Sequence, residues 1–180
     1  PEIDLLWSLR GQVIMNQGDF TEARKSLERA LQLNPSYIGV HQYLSEVAWI
    51  EKDYQKARNE ILSLFQRTAD ARNPFFIPIY IRLGRIEDLL NMKEQAIATY
   101  KTALEIHPES MEALNNLAYL NAELGNMNEA LGYADKAKSL SPNNGAVLDT
   151  LGWIYYQMGR HDEALDTMRQ AGIRLPFQPT

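Results

Sequence analysis

The segment 148–165 reads LDTLGWIYYQMGRHDEAL, and its apolar residues return every three or four positions until a glycine interrupts them. Leu148, Leu151, Gly152 and Tyr155 fall on one stripe, and the pattern resumes after the break at Ala164. Spacing of this kind is the helical period, so the segment predicts two helices joined by a tight turn. The alternation recurs along the chain, punctuated by proline. Pro74, Pro108, Pro142 and Pro176 stand 34 residues apart, and Pro35 stands 39 before Pro74. A fixed period of this size marks stacked repeats. It divides the chain into five units, 4–37, 38–76, 77–110, 111–144 and 145–178, the second with five extra residues.

Residue size keeps the same register. The eighth position holds Gly11, Ser45, Gly84, Ala118 and Gly152, and the twentieth holds Ala23, Ala57, Ala96, Ala130 and Ala164. Small side chains are needed where two helix backbones approach closely. Gly18, Gly125 and Gly159 are expected to end first helices in a left-handed turn, with Asn91 in that role in the third unit and Lys52 as a departure in the second. Asp19 with Glu22, and Asn126 with Glu129, read as capping boxes for second helices. The predicted helices are 4–17, 20–33, 38–51, 54–70, 77–90, 93–106, 111–124, 127–140, 145–158 and 161–174. The expected fold is all-α, ten helices in antiparallel pairs, as one array over 1–180.

Composition narrows the function classes. The chain has 180 residues, 45% of them hydrophobic, which supports a packed core. A net charge of −5 with no basic block argues against a nucleic-acid partner, which would want a cationic stripe. The absence of cysteine removes disulfides and thiolate metal sites. No apolar run approaches the roughly 20 residues of a membrane span, so direct membrane insertion is not expected, and no signal-peptide pattern is visible. The chain starts at Pro1 and reads as a fragment of a longer protein.

Small residues at repeat positions 8, 20 and 27, a bulky one at 4, leucine at 7 and proline at 32, recurring every 34, resemble the tetratricopeptide repeat over nearly the whole chain. The resemblance implies a right-handed superhelical solenoid whose first helices line a concave groove for a protein or extended peptide. Pentatricopeptide arrays are a poorer match, because they need a basic groove for RNA. The departures are Arg10 in place of leucine, Lys52 in place of glycine, the insertion within ADARNPFF, and Asn121 where tyrosine is common. The second unit is therefore expected to deviate most from ideal geometry.

Family groove positions carried onto this chain give Gln12, Asn16, Gln42, Trp49, Arg85, Asn115, Tyr119, Asp149, Trp153 and Tyr156 as binding candidates, with Ser8, Ile81 and Ala122 among their neighbours. The helical period supports the choice, since positions 2, 5, 9 and 12 share a stripe that faces away from 4, 7, 8 and 11. Tyr155, on the second of these stripes, is expected in the core. Tryptophan, tyrosine and arginine commonly dominate binding energy, at about 2 kcal/mol or more per hot spot. The family's carboxylate clamp, a lysine, asparagine and arginine set, is not reproduced by Ser8, Gln12, Tyr43, Pro78 and Arg82, nor by Ile81, Arg85, Asn116, Ala146 and Thr150. A receptor for chaperone C-termini is thus disfavoured, and an extended peptide held by aromatics and amides fits better.

The cluster His161-Asp162-Glu163 invites a metal or acid–base reading. A helical metal pair wants its second ligand four residues on, and Leu165 stands there. Acidic residues in a first helical turn offset the positive end of the helix dipole. His107 precedes Pro108 in a turn, and His41 sits at a bulky position expected to be partly buried. No phosphate loop, dinucleotide fingerprint or zinc-protease helix occurs. No catalytic residue, metal or cofactor is assigned, and enzymatic activity is not expected. The competing reading is a self-associating structural array. Leu5, Leu6 and Trp7 at the front and Leu165, Met168 and Ile173 at the back would leave apolar ends for a homo-oligomer. The phrases LNNLAYLNAELG and LDTLGWIYYQMG are similar to repeats of bacterial envelope proteins, including some tied to secretion and exopolysaccharide export. The compartment lean is the bacterial envelope, with cytoplasm and periplasm both open.

Overall fold

Side-chain size and turn chemistry set where each helix starts and stops in the computed structural model, which describes residues 3–68 and 70–172. Ten α-helices follow one another: α1 (Asp4–Asn16), α2 (Phe20–Leu33), α3 (Ile38–Ile50), α4 (Tyr54–Arg67), α5 (Ile77–Leu89), α6 (Lys93–Ile106), α7 (Met111–Glu123), α8 (Met127–Leu140), α9 (Gly145–Gln157) and α10 (His161–Gln170). No strand occurs among the described residues. The helices fall into two compact units that divide between Met92 and Lys93, with α1–α5 in the first and α6–α10 in the second.

Left-handed residues terminate the first helices. Gly18, Gly125 and Gly159 have φ of 86°, 81° and 74°. Asn91 and Lys52 adopt the same region at 58° and 60°. Lysine is unfavourable there. The turn holds because the Lys52 amide donates to Trp49 O at 3.0 Å and the Asp53 amide to Ala48 O at 2.9 Å. The Asp19 side chain accepts from the Glu22 amide at 3.0 Å, which makes the N-cap half of the expected box, while the Asp19 amide donates to Ile14 O and the Glu22 carboxylate turns to Lys25. Asp53 does the same for the Lys56 amide. The second expected box fails, for Asn126 makes no side-chain cap bond. Its amide is drawn back instead, Nδ2 donating to Asn121 Oδ1 at 3.4 Å. Asn121 is buried, and its own Nδ2 donates to Leu117 O at 2.8 Å, so the asparagine pair satisfies a polar group inside the hairpin.

Two helix ends differ from expectation by more than one residue. α4 stops at Arg67 rather than 70. Thr68 leaves the helix while its Oγ1 donates to Leu64 O at 2.8 Å. Asn73 then caps a short 3-10 helix, Pro74–Phe76, by accepting from the Phe75 amide. α4 has 14 residues like α2, so the extra residues of the second repeat do not lengthen it. α10 stops at Gln170; the expectations for Ile173 and Pro176 lie outside the described residues.

The small positions mark the close approaches. Ala23, Ala57, Ala96 and Ala130 are fully buried. A Cβ on Gly11 would stand 2.6 Å from Leu27 Cγ, and one on Gly152 2.8 Å from Met168 Cγ. In the first unit, Leu27, Ala30, Val40, Leu44 and Val47 form a core under Trp7, Phe20, Tyr37 and Tyr43. Phe65 stacks on Tyr80 at 4.6 Å and meets Phe76 edge-on. In the second, Ala118, Ala122, Ala130, Ala134, Leu151 and Ile154 pack together under Tyr133, Trp153 and Tyr155. Burying a leucine such as Leu151 is worth about 1.5–3 kcal/mol, so these small-to-large pairings carry most of each hairpin's stability.

Candidate functional site

Helical spacing puts two stripes side by side on the second unit. On α7 the residues are Glu112, Asn115, Tyr119 and Glu123, and on α9 they are Asp149, Trp153 and Tyr156. Tyr119 and Trp153 occupy the ninth position of successive repeats, and their rings stack at 5.3 Å with 29° between planes. Tyr119 is 40% exposed and Tyr156 58%, while Trp153 is half-buried against the core. The stack therefore presents an aromatic surface rooted in the hairpin. Tyr119 also donates its hydroxyl to Glu123 Oε1 at 3.0 Å. Lys93 Nζ reaches the other oxygen of that carboxylate at 2.8 Å. The Lys93 hydrogen bond, aided by that of Tyr119, outweighs partial burial and holds the Glu123 carboxyl below its usual range. Asp149 is exposed, one helical turn before Trp153. Asn115 is half-buried, and its Oδ1 has no hydrogen-bond partner.

The first unit arranges its candidates differently. Trp49 is half-buried and meets Tyr54 edge-on at 5.4 Å. The Arg85 guanidinium lies over its ring at 5.2 Å. Gln42 lines a pocket of about 210 Å3 with Tyr43, Ser45, Glu46, Ile79 and Arg82. Ser45 is fully buried there, and its hydroxyl has no partner. Gln12 donates to Ser8 Oγ at 3.4 Å, and Asn16 is exposed in the last turn of α1.

The structure thus joins Trp49 with Arg85 and Tyr119 with Trp153. Three neighbours proposed for the groove do not line an open face. Ser8, Ile81 and Ala122 are buried. Two features escaped the sequence reading. One is the Ser45 pocket, whose signal was a lone hydroxyl among glycines and alanines at the eighth repeat position. The other is the pairing of His41, whose burial the sequence anticipated: one ring nitrogen stands 3.1 Å from Glu60 and the other 3.2 Å from Pro35 O. No sequence spacing announces that inter-helix contact.

The acidic cluster of α10 has a structural account. Glu163 pairs with Arg160 through both of its oxygens, and Arg160 lies over the Tyr155 ring at 4.4 Å. Burial raises the Tyr155 phenol, consistent with a half-buried place beside the core. His161 is exposed and tilts against Tyr156 at 5.5 Å. No group of three metal-ligating side chains occurs among the described residues, and no described helix is long and apolar enough to cross a membrane.

The chain is 28% identical over 167 residues to a TPR repeat-containing protein of Pseudomonas aeruginosa, covering 91% of this chain and 27% of that one. It therefore spans little more than a quarter of that relative's length. Among solved structures it resembles MamA, with a TM-score of 0.82, 18% identity and 98% of each chain covered. It also resembles YrrB, described as a TPR protein with an unusual peptide-binding site, with a TM-score of 0.75 and 17% identity over 92% of this chain and 82% of that one. At these identities the likeness establishes the fold. Family models for the tetratricopeptide repeat match residues 5–37 and 109–171, and one described as a TPR repeat matches 91–125. Ten paired helices, alanine and glycine at fixed register and these matches agree: the chain belongs to the tetratricopeptide repeat family.

Proposed function

We propose that this chain is a non-enzymatic protein-interaction scaffold that holds an extended segment of a partner on the exposed faces of its first helices. The observation that carries the reading is the Tyr119–Trp153 stack, flanked by Tyr156, open on a rigid helix pair. Aromatic side chains fixed by packing give large contact area at little conformational cost. Asn115, Gln42, Gln12 and Asn16 add amides that can bond to an extended backbone, and Asp149 and Arg85 supply charge at either unit's face. An array of random-sequence peptides tests this. Trp153→Ala and Tyr119→Ala should each lose at least tenfold in binding to the peptides captured by the unaltered chain, as about 2 kcal/mol per hot spot implies, measured at a temperature where circular dichroism shows each variant folded, because Trp153 packs against the core. Equal binding by both variants would remove the groove from consideration.

A second reading has its own observation. α1 exposes Leu6, Leu9 and Val13 along one stripe. Such a face favours stacking against another helix, in a further repeat or a second copy. Light scattering distinguishes these: a Leu6→Ser, Leu9→Ser variant that changes no molar mass at high concentration excludes the second copy.

A further inference from the structure

Arginine meets aromatic rings repeatedly in this chain. Arg10 lies over Trp7 at 5.1 Å, Arg85 over Trp49 at 5.2 Å and Arg160 over Tyr155 at 4.4 Å. The rings of Trp153 and Tyr156 on α9 have no such cation among the described residues, and their ring contacts are with Tyr119 and His161. The reason lies in composition. α7 and α9 together contain Glu112, Glu123 and Asp149 and not one lysine or arginine. Lys93, from α6, serves Glu123. Neither Glu112 nor Asp149 has an ion-pair partner among the described residues. On α9 the spacing is specific: Asp149, Trp153 and Tyr156 are four and then three residues apart, hence on one face. The backbone positions of Asp149 and Trp153 are about 6 Å apart along the axis.

We infer that the α7–α9 face selects a partner segment bearing arginine, whose guanidinium lies over the Trp153 and Tyr156 rings with Asp149 as its counter-charge. This deepens the proposed scaffold function and rests on it. Charge complementarity commits the occupant, because an acidic segment would bring carboxylates onto aromatic faces beside Asp149 and Glu112 with no base on either helix to receive them. Arginine is favoured over lysine because its planar cation stacks on a ring while its edge bonds a carboxylate. The aliphatic stem of the same side chain would lie on the half-buried flank of Trp153.

Fluorescence anisotropy with four capped, labelled decapeptides tests the assignment, with alanine alternating with arginine, lysine, glutamate or tyrosine. The arginine peptide should bind tightest, lysine more weakly and glutamate not at all. Exposed cation–ring and ion-pair contacts each correspond to about two- to fivefold in affinity at most. Asp149→Asn should therefore weaken the arginine peptide about two- to fivefold and flatten its salt dependence, and Trp153→Leu should weaken it further. Asp149 makes no ion pair in the described structure, so the variant keeps its fold, and circular dichroism checks this. Equal binding of the tyrosine and arginine peptides, both sensitive to Trp153→Leu, keeps the binding face and overturns the charge assignment. Binding unaffected by either substitution, or absent for all four peptides, overturns both. A dimer that dissociates on Trp153→Leu would place a second copy on this face and also overturns the assignment.

Discussion

Trp49 on α3 and Trp153 on α9 both sit half-buried on first helices, yet their electrostatic surroundings are opposite. Around Trp49 the charges are consumed internally. Arg85 covers its ring, Arg82 faces Glu46 at 3.7 Å, and Arg58 holds the buried Glu87 at 3.1 Å. Trp153 stacks on Tyr119 and packs on the alanine-rich core, Asp149 stands one turn before it, and α7 and α9 contain no base. The same repeat geometry has been given two kinds of first-helix surface. In the first unit charged side chains pair across helices, whereas in the second an aromatic and acidic first-helix surface lies over an alanine-rich core.

The largest test of that contrast is Arg58→Met. Glu87 is 2% exposed, and a buried carboxylate that loses a charged hydrogen-bond partner typically destabilises a protein by about 3 kcal/mol or more. Urea denaturation of the variant should show this loss, and Arg58→Met with Glu87→Met should recover most of it, since an apolar pair of similar volume can replace a buried ion pair. A single-variant cost under about 1 kcal/mol would mean that the charges of the first unit are ornamental to stability.

Arg85→Ala is the next test, at about 0.5–1 kcal/mol for an exposed cation over a ring. In a background with Trp7→Phe and Trp153→Phe, Trp49 emission should move to longer wavelength as its covered face meets water. No movement would say that Arg85 is not what covers Trp49, and the two faces would then differ less than their charges suggest.

Most of the helices could be read from the sequence because size repeats in register with proline. A glycine at the eighth position and an alanine at the twentieth can be recognised without coordinates, for both are imposed by backbone approach within one hairpin. Tyr119 and Trp153 could be placed at one register position of successive repeats for the same reason, while the stacking of their rings came only from the structure. Other features depend on distances between helices that spacing does not encode. A residue at the stripe's edge can be closed by packing, as Ser8, Ile81 and Ala122 are. The Arg85–Trp49 contact and the His41–Glu60 contact are of this kind. The early end of α4 escaped because local side-chain bonds from Thr68 and Asn73 compete with helix continuation, and periodicity is blind to them.

The smallest predicted effect concerns the one internal base that serves the second face. Lys93, chiefly, lowers the Glu123 carboxyl below its ordinary range. A carboxylate depressed in the folded state stabilises that state above its unfolded pKa, and the contribution is lost as pH falls through the folded value. The pair keeps about a quarter of each side chain exposed, so solvent screening limits the contribution to about 0.2–1 kcal/mol. Thermal melts of the unaltered chain and of Glu123→Gln should differ near neutral pH and converge as carboxylates protonate below about pH 4. Glutamine can still accept the Tyr119 hydroxyl, so any difference that survives in acid reports that neutral hydrogen bond, and only the part that vanishes reports Lys93. If nothing vanishes, Lys93 does not neutralise Glu123 in solution. The α7–α9 face would then carry three uncompensated acids rather than two, which sharpens its contrast with the arginine-covered face of the first unit.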